Sequence, residues 1–225
     1  MTARHRPGEL PRDNILRMTT PLPSPGGATP RTPRSASDGG ASISAAHRAD
    51  LFIDPADDPR EGGPRLGGER ATLAEFLRGQ RLTLELKCAD LDAAQLATRS
   101  VEPSTMSLLG LIRHMAEVER TWFRRRFAGN GDLPKRYQTT EDPDGDFNGA
   151  HPDPEVVKEA WAAWREEMAF ANEFIADHDF DFVGTDSQGE PVSLRELLVH
   201  MIEEYARHNG HADLLRERID GRVGQ

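Results

Sequence analysis

The sequence predicts an all-α fold, a four-helix bundle preceded by a disordered N-terminal tail. Apolar residues recur at helical spacing in four stretches after residue 68, and turn signals separate these stretches. The composition also changes there, because residues 1–68 hold 19 of the 36 Gly and Pro residues but only one of the 14 aromatic residues. We therefore predict a tail at residues 1–68 and a helical bundle at residues 69–221.

The predicted tail is rich in Pro, Ser, Gly and Arg and shows no periodicity. Its apolar content is too low to offset the conformational entropy lost on ordering, which predicts disorder. Its first 50 residues contain seven arginines and four acidic residues, a formal charge of about +3, so the rest of the chain carries about −13. No continuous apolar segment follows the early arginines, and we expect no secretory signal.

The first predicted helix runs from about residue 69 to residue 90. The second begins after Pro103 and runs to about Phe127, just before a Gly-Asn-Gly sequence that stops it. Each helix has one apolar stripe at helical spacing. These stripes are Leu73, Phe76, Leu77, Leu84, Cys88 and Leu91 in the first helix, and Leu108, Leu111, Met115, Val118 and Trp122 in the second.

The third predicted helix starts with Asp153 as its capping residue and Pro154 at its first helical position. The fourth opens with a capping box formed by Ser193 and Glu196 and extends to about Arg218. Four amphipathic helices joined by modest loops favour a four-helix bundle. The two stripes are Val157, Trp161, Trp164, Met168, Ala171 and Phe174, and Leu194, Leu197, Met201, Tyr205, Ala212 and Leu215.

Composition and charge exclude several classes of protein. A net charge of −10 argues against the basic surface that dominates nucleic-acid binding. No apolar run approaches the roughly 20 residues that span a bilayer, so we expect no membrane segment and a cytoplasmic location. The single cysteine, Cys88, excludes an intramolecular disulfide and any CxxC motif, and it is more typical of a packed core thiol than of a nucleophile. A brief alternation at residues 179–183 is too short to predict a strand.

Polar residues interrupt the apolar stripes of the second and fourth predicted helices. His114 lies three residues after Leu111 and four before Val118. A buried charge is costly unless it is paired or bound to a metal, so such residues require a partner. One face of the fourth helix consists of Leu197, Met201, Glu204, His208, His211 and Leu215.

Glu204 and His208 are one helical turn apart, which directs both side chains toward the same point. Helices present pairs of metal ligands in this way, and His114 on the second helix can supply a third. Three protein ligands leave a fourth position open for water or a substrate, as in catalytic metal sites. The spacing is equally compatible with a hydrogen-bonded core histidine and an intrahelical salt bridge. Two weaker candidates are His200, one turn before Glu204, which could orient a ligand but is more typical of a residue near the rim, and His211, which could replace a ligand.

The loop at residues 141–149 places Asp142, Asp144 and Asp146 at the alternate spacing of a calcium loop. It lacks the Glu at position twelve, and Pro143 separates the first two acidic residues. We therefore predict an acidic surface loop rather than a calcium site.

Two segments of the chain resemble a known family. PSTMSLLGLIRHMAEVERTWFRRRFAG and PVSLRELLVHMIEEYARHNGHADLLRERIDG are similar to the DinB-like superfamily, and most similar to its actinobacterial branch, which includes the mini-circle proteins. The resemblance covers residues 69–221 and implies a four-helix bundle with a divalent metal, often zinc or nickel, held by three residues. Carried over by position, these are His114, Glu204 and His208. Many relatives have His at the position of Glu204, and the mycothiol-dependent maleylpyruvate isomerases share the His-Glu-His set.

The resemblance implies an enzyme that uses mycothiol as a co-substrate, either transferring it to a small electrophile or using it in an isomerisation. His211 or His200 would then move a proton, and Arg216 would anchor a substrate carboxylate. A metal-dependent hydrolase and a non-catalytic metal or small-molecule binding protein use the same residues and remain alternatives. The sequence leaves the substrate, the identity of the metal and the presence of a homodimer open.

Overall fold

The computed structural model describes residues 51–224, which are mostly helical. The predicted all-α fold is confirmed, whereas the predicted disorder of residues 1–50 lies outside the described residues. In chain order, the elements are α1 (Glu69–Cys88), α2 (Ala93–Ala97), α3 (Leu108–Glu119), a π-helical segment (Arg120–Phe127), α4 (Gly145–Asn148), α5 (Pro154–Asp177), β1 (Val183–Thr185), β2 (Pro191–Ser193) and α6 (Leu194–Asp220).

The ends of the long helices follow local capping chemistry. The Asp153 side chain accepts a hydrogen bond from the backbone N–H of Glu155 at the start of α5, and Ser193 caps α6 through the N–H of Glu196. Gly221 ends α6 with a φ of 78°, a left-handed conformation that favours glycine. These caps confirm the predicted starts of α5 and α6, because short polar side chains satisfy the N–H groups that a helix leaves free.

The four long helices pack as two pairs. Helix α1 lies mainly against α6 and α3 mainly against α5, while contacts of α3 with α6 and α1 join the pairs. The apolar stripes predicted from the sequence supply most of the core, so periodicity sets which helix faces meet. Fully buried core side chains include Leu84, Leu108, Leu111, Ile112, Met115, Phe123, Trp164, Leu197, Met201 and Tyr205. Among residues 51–224, no helix is long and apolar enough to cross a membrane.

The second predicted helix differs from a regular α-helix in its last two turns. It begins at Leu108, after the Ser107 cap, and changes to π-helical geometry from Arg120 to Phe127. The N–H of Ala128 closes this segment by donating to the carbonyl of Phe123 at 2.9 Å. Predictions from apolar spacing assume a constant helical period. They therefore do not show where an inserted residue shifts the face presented by the following turn.

A two-stranded antiparallel hairpin precedes α6 and was not predicted from the sequence. Strands β1 and β2 pair with Gly184 opposite Val192. A Cβ atom at Gly184 would lie 2.6 Å from the ring of Phe127, so only glycine lets the strand approach the π-helical segment this closely. The strands are three residues long, which is too short to give an alternation pattern in the sequence.

Residues 51–68, which precede α1, form turns and bends without a helix or a strand, and they contact the bundle. Phe52 is buried, with the Lys87 ammonium 3.9 Å and the Arg222 guanidinium 4.0 Å from its ring centroid. The aromatic face attracts these cations and covers apolar surface at the end of α1. The sequence analysis placed this segment in the tail because a single aromatic residue gives no periodic signal.

Candidate metal centre

Helices α3 and α6 bring the three predicted metal ligands together. His114 extends from α3, and Glu204 and His208 extend from successive turns of α6. Both the Nε2 atom of His114 and the Nε2 atom of His208 lie 3.4 Å from Oε1 of Glu204. One donor atom from each residue can be chosen so that all three lie within 4.8 Å of one another. The three side chains are partly exposed, so the centre is open to small molecules.

The donor spacing is compatible with a divalent metal as well as with long hydrogen bonds. Nitrogen–oxygen hydrogen bonds cluster at about 2.7–3.2 Å, and the two 3.4 Å distances are longer than this. A tetrahedral zinc with bonds of about 2.0–2.1 Å holds its ligand atoms about 3.4 Å apart. Two imidazoles and one carboxylate are also ligands that zinc accepts, and three of them leave one position open. The residues present therefore fit the predicted metal.

Asp146 contacts the candidate centre and is not the surface residue that the sequence predicts. Its side chain is 1% exposed, and its Oδ2 atom lies 2.8 Å from Nδ1 of His114. Burial opposes its ionisation, but hydrogen bonds from His114 and Gln138 outweigh this and lower the pKa of Asp146. The carboxylate therefore accepts the Nδ1 proton of His114, and a metal bound at Nε2 would displace the proton that Nε2 otherwise shares with Glu204. The predicted solvated surface loop is thus wrong at this position.

Several groups hold Asp146 in place. Gln138 donates a hydrogen bond to Oδ2 at 3.0 Å, and the N–H of Phe147 donates to Oδ1 at 3.0 Å. The guanidinium of Arg113, one residue before His114, donates to the carbonyls of Gly145 and Asp146 at 3.0 and 2.8 Å. The ring of Phe147 also stacks on His114 with a centroid distance of 5.3 Å. Adjacent residues of α3 therefore fix both the loop and the imidazole.

Interactions among the residues of the centre shift the pKa values of Glu204 and His114. Interactions with His114 and His208 hold the pKa of Glu204 well below its usual range, despite partial burial. Burial disfavours the charged form of His114, yet its hydrogen bonds to Asp146 and Glu204 raise the pKa of the imidazole to about 9. Two carboxylates thus flank one imidazole ring, and they favour a positive charge at this point of the bundle.

The other three predicted site residues lie in different surroundings. The Nδ1 atom of His211 is 3.4 Å from Nδ1 of His208, so this histidine borders the centre. His200 lies one turn before Glu204 and packs its ring against Trp122 rather than against a predicted ligand. Burial, together with the nearby His208 and Arg207, lowers the pKa of His211.

Arg216 does not join the centre. Its side chain is 2% exposed, and its guanidinium donates to the carbonyls of Lys87 and Ala89 and to the carboxylate of Asp220. These contacts tie the end of α1 to the end of α6. The expectation that Arg216 anchors a substrate carboxylate is not supported, because internal acceptors already use its donors.

Comparison with known proteins identifies the family to which this bundle belongs. A family model described as mycothiol-S-transferase matches residues 72–221. The chain belongs to the mycothiol-S-transferase family. The match confirms the DinB-like resemblance and includes all the residues of the candidate centre, Asp146 among them. No curated protein and no solved structure matches the chain. Membership of this family indicates a mycothiol-related transferase of the DinB-like type.

Proposed function

We propose that this member of the mycothiol-S-transferase family transfers mycothiol to a small electrophile in a reaction that depends on a divalent metal. His114, Glu204 and His208 are the proposed ligands, with zinc as the first candidate metal and nickel as the second. One observation carries the proposal: two imidazoles and a carboxylate converge at metal-ligand spacing, and a buried carboxylate orients one imidazole. A transferase that consumes a reduced thiol also favours a cytoplasmic location.

A divalent cation held there would supply the positive charge that lowers the pKa of a coordinated thiol. His114, Glu204 and His208 would hold that cation between α3 and α6, and Asp146 would keep the Nδ1 proton on His114. His211 is the adjacent base proposed to accept the thiol proton as the S–H bond breaks. The sulfur then forms a bond to the electrophilic carbon, and the leaving group departs with the electron pair of the broken bond.

Metal content and thiol conjugation can be measured on the same sample of the purified full chain. We expect stoichiometric zinc or nickel, and conjugation of mycothiol to a halogenated bimane that stops after chelation and returns when metal is restored. His114→Ala and His208→Ala should each remove metal and conjugation. His151→Ala is the matched control, since His151 is an exposed loop histidine.

Three results would overturn the proposal. Conjugation that is unaffected by chelation would remove the metal from the reaction. Metal-dependent cleavage of an ester without thiol conjugation would indicate a hydrolase acting through activated water. Bound metal with no turnover across mycothiol, bacillithiol and cysteine would indicate a binding protein.

A further inference from the structure

A second cluster of side chains lies between the π-helical segment and α6, one turn of α6 before the proposed ligand Glu204. His200 precedes Glu204 by four residues, or about 6 Å along the axis of α6. Its ring faces Trp122 of the π-helical segment edge to face, with a centroid distance of 4.8 Å. Both side chains are only partly buried. The two rings thus give an aromatic surface one helical turn from a proposed metal ligand.

Arg126 completes this surface. Its guanidinium carbon lies 4.5 Å from the centroid of the Trp122 indole, and the side chain is partly buried. We define Trp122, His200 and Arg126 as the aromatic–arginine surface. Residues 122 and 126 both belong to the π-helical segment, which places them on one face. Single π-helical turns are frequent at functional sites, since the inserted residue redirects side chains.

Arg126 differs from the other arginines of its run because no acceptor within residues 51–224 hydrogen-bonds its guanidinium. Arg124 pairs with Glu167, and Arg125 donates to the carbonyls of Leu133 and Gly131. Within residues 51–224, Arg126 makes neither a hydrogen bond nor an ion pair, and its contact is with the Trp122 ring. A partly desolvated guanidinium without an anion has donors available for a carboxylate, which it can bind in a bidentate manner.

Partial burial agrees with this interpretation. It lowers the pKa of Arg126, and the more distant Asp186 only partly opposes the shift. An incoming anion would therefore stabilise a cation that the described part of the fold compensates only through the more distant Asp186. The neighbouring rings can cover the planar body of the same molecule, because aromatic faces pack on flat apolar groups.

We propose that the aromatic–arginine surface binds the electrophilic substrate and selects a small, planar carboxylate. The carboxylate would contact Arg126, and the planar body would lie against Trp122 and His200, with its reactive carbon directed toward the metal centre. This inference rests on the proposed thiol transfer for its catalytic meaning. The binding step itself does not require turnover, and the two can be tested separately.

Binding is tested with 4-methylbenzoate and its neutral counterpart 4-methylbenzamide, using calorimetry on the full chain as purified. We expect Arg126→Gln to weaken the benzoate at least tenfold more than the benzamide, while Arg126→Lys retains part of the preference. Arg207→Gln is the matched control, because Arg207 is exposed, has no ion pair in residues 51–224 and lies next to His208. The control should preserve the preference for the benzoate.

Carboxylates also bind metals directly, so the titration is repeated after chelation. The difference between the wild type and Arg126→Gln should persist in the metal-free protein. Equal benzoate affinity in the two proteins, or equal weakening of both ligands, would overturn the proposal.

Turnover then links the surface to catalysis. With mycothiol as donor, 4-(bromomethyl)benzoate and 4-(bromomethyl)benzamide differ in charge but share the reactive carbon. Arg126→Gln should lower the ratio of their kcat/KM values about tenfold, mainly through KM for the benzoate, with KM for mycothiol preserved. If Arg126→Gln conjugates mycothiol with an unchanged ratio of kcat/KM values, the proposed role of the aromatic–arginine surface is refuted and the proposed function is retained. Absence of conjugation in the wild type would refute the function, and the binding experiment would still decide the surface.

Discussion

The Nδ1 atom of His114 lies 2.8 Å from Oδ2 of Asp146, a residue 32 positions further along the chain. The two residues belong to different elements, α3 and the short helix α4. The contact fixes which nitrogen of His114 carries a proton and which is free to bind a metal. A residue of the short helix α4 thus orients the imidazole of a residue on α3.

Asp146→Asn tests this contact. The amide keeps the size of the side chain but loses the negative charge that favours the Nδ1 proton, so we expect metal affinity to fall about 10- to 100-fold. Competition with a chromophoric chelator measures the affinity, and circular dichroism checks that the fold is retained. Asp144→Asn, at an exposed position of the same loop, should change the affinity less than twofold. Equal effects of the two substitutions would contradict a specific role for Asp146.

The proposed ligands and their support differ in how far the sequence predicts them. Helical periodicity fixes the relative directions of Glu204 and His208, since residues four apart share a face of a helix. It also places His114 on the buried side of α3. The position of Asp146 depends on how the loop folds back, which Arg113 and Gln138 determine through hydrogen bonds. The sequence pattern of the loop does not predict those contacts.

The sequence does not predict the aromatic–arginine surface either. The apolar spacing predicts a regular helix through Phe127. The arginines near its end form a basic run, and a basic run on a helix usually faces solvent. The π-helical geometry redirects these side chains, and only the structure separates the paired Arg124 from Arg126. Spacing rules that assume a constant helical period fail at such a change.

A buried polar network should contribute strongly to stability. Glu119 is fully buried and accepts hydrogen bonds from Arg81 and from the Tyr205 hydroxyl, the latter at 2.8 Å. Because Tyr205 follows Glu204, this network also holds the proposed ligand in position on α6. Arg81→Met would leave the carboxylate buried without its cation, and we expect a loss of about 3–5 kcal/mol in the free energy of unfolding.

Urea denaturation monitored by circular dichroism measures this loss. Arg165→Met is the matched control, because Arg165 pairs with Glu85 at the surface and should contribute less than about 1 kcal/mol. Adding Glu119→Gln to Arg81→Met should recover part of the stability, since no buried charge remains. A double variant no more stable than Arg81→Met alone would argue against an uncompensated charge as the cause.

Cys88 should be unreactive in the folded protein. Burial raises the pKa of its thiol to about 12, so at pH 8 about one molecule in ten thousand carries the thiolate. Labelling by iodoacetamide should therefore be slow in buffer, rise about tenfold per pH unit while the fold persists, and become rapid in urea. Mass spectrometry follows the modification. Rapid labelling of the native chain at pH 8 would contradict this burial. Slow labelling would show that the reactive thiol in transfer assays is the added thiol and not Cys88.

Glu204 offers the sharpest test of the ligand set, because it is the only carboxylate among the three proposed ligands. Glu204→Gln removes the anionic ligand and should weaken zinc binding roughly 100-fold or more. Glu204→His restores a third ligand and should bind zinc more tightly than Glu204→Gln, with altered conjugation kinetics. Glu203→Gln, on the exposed neighbouring position, provides the control with the same change in charge. Chelator competition and metal analysis on these three variants separate coordination from general electrostatics, since equal losses in Glu203→Gln and Glu204→Gln would reject Glu204 as a ligand.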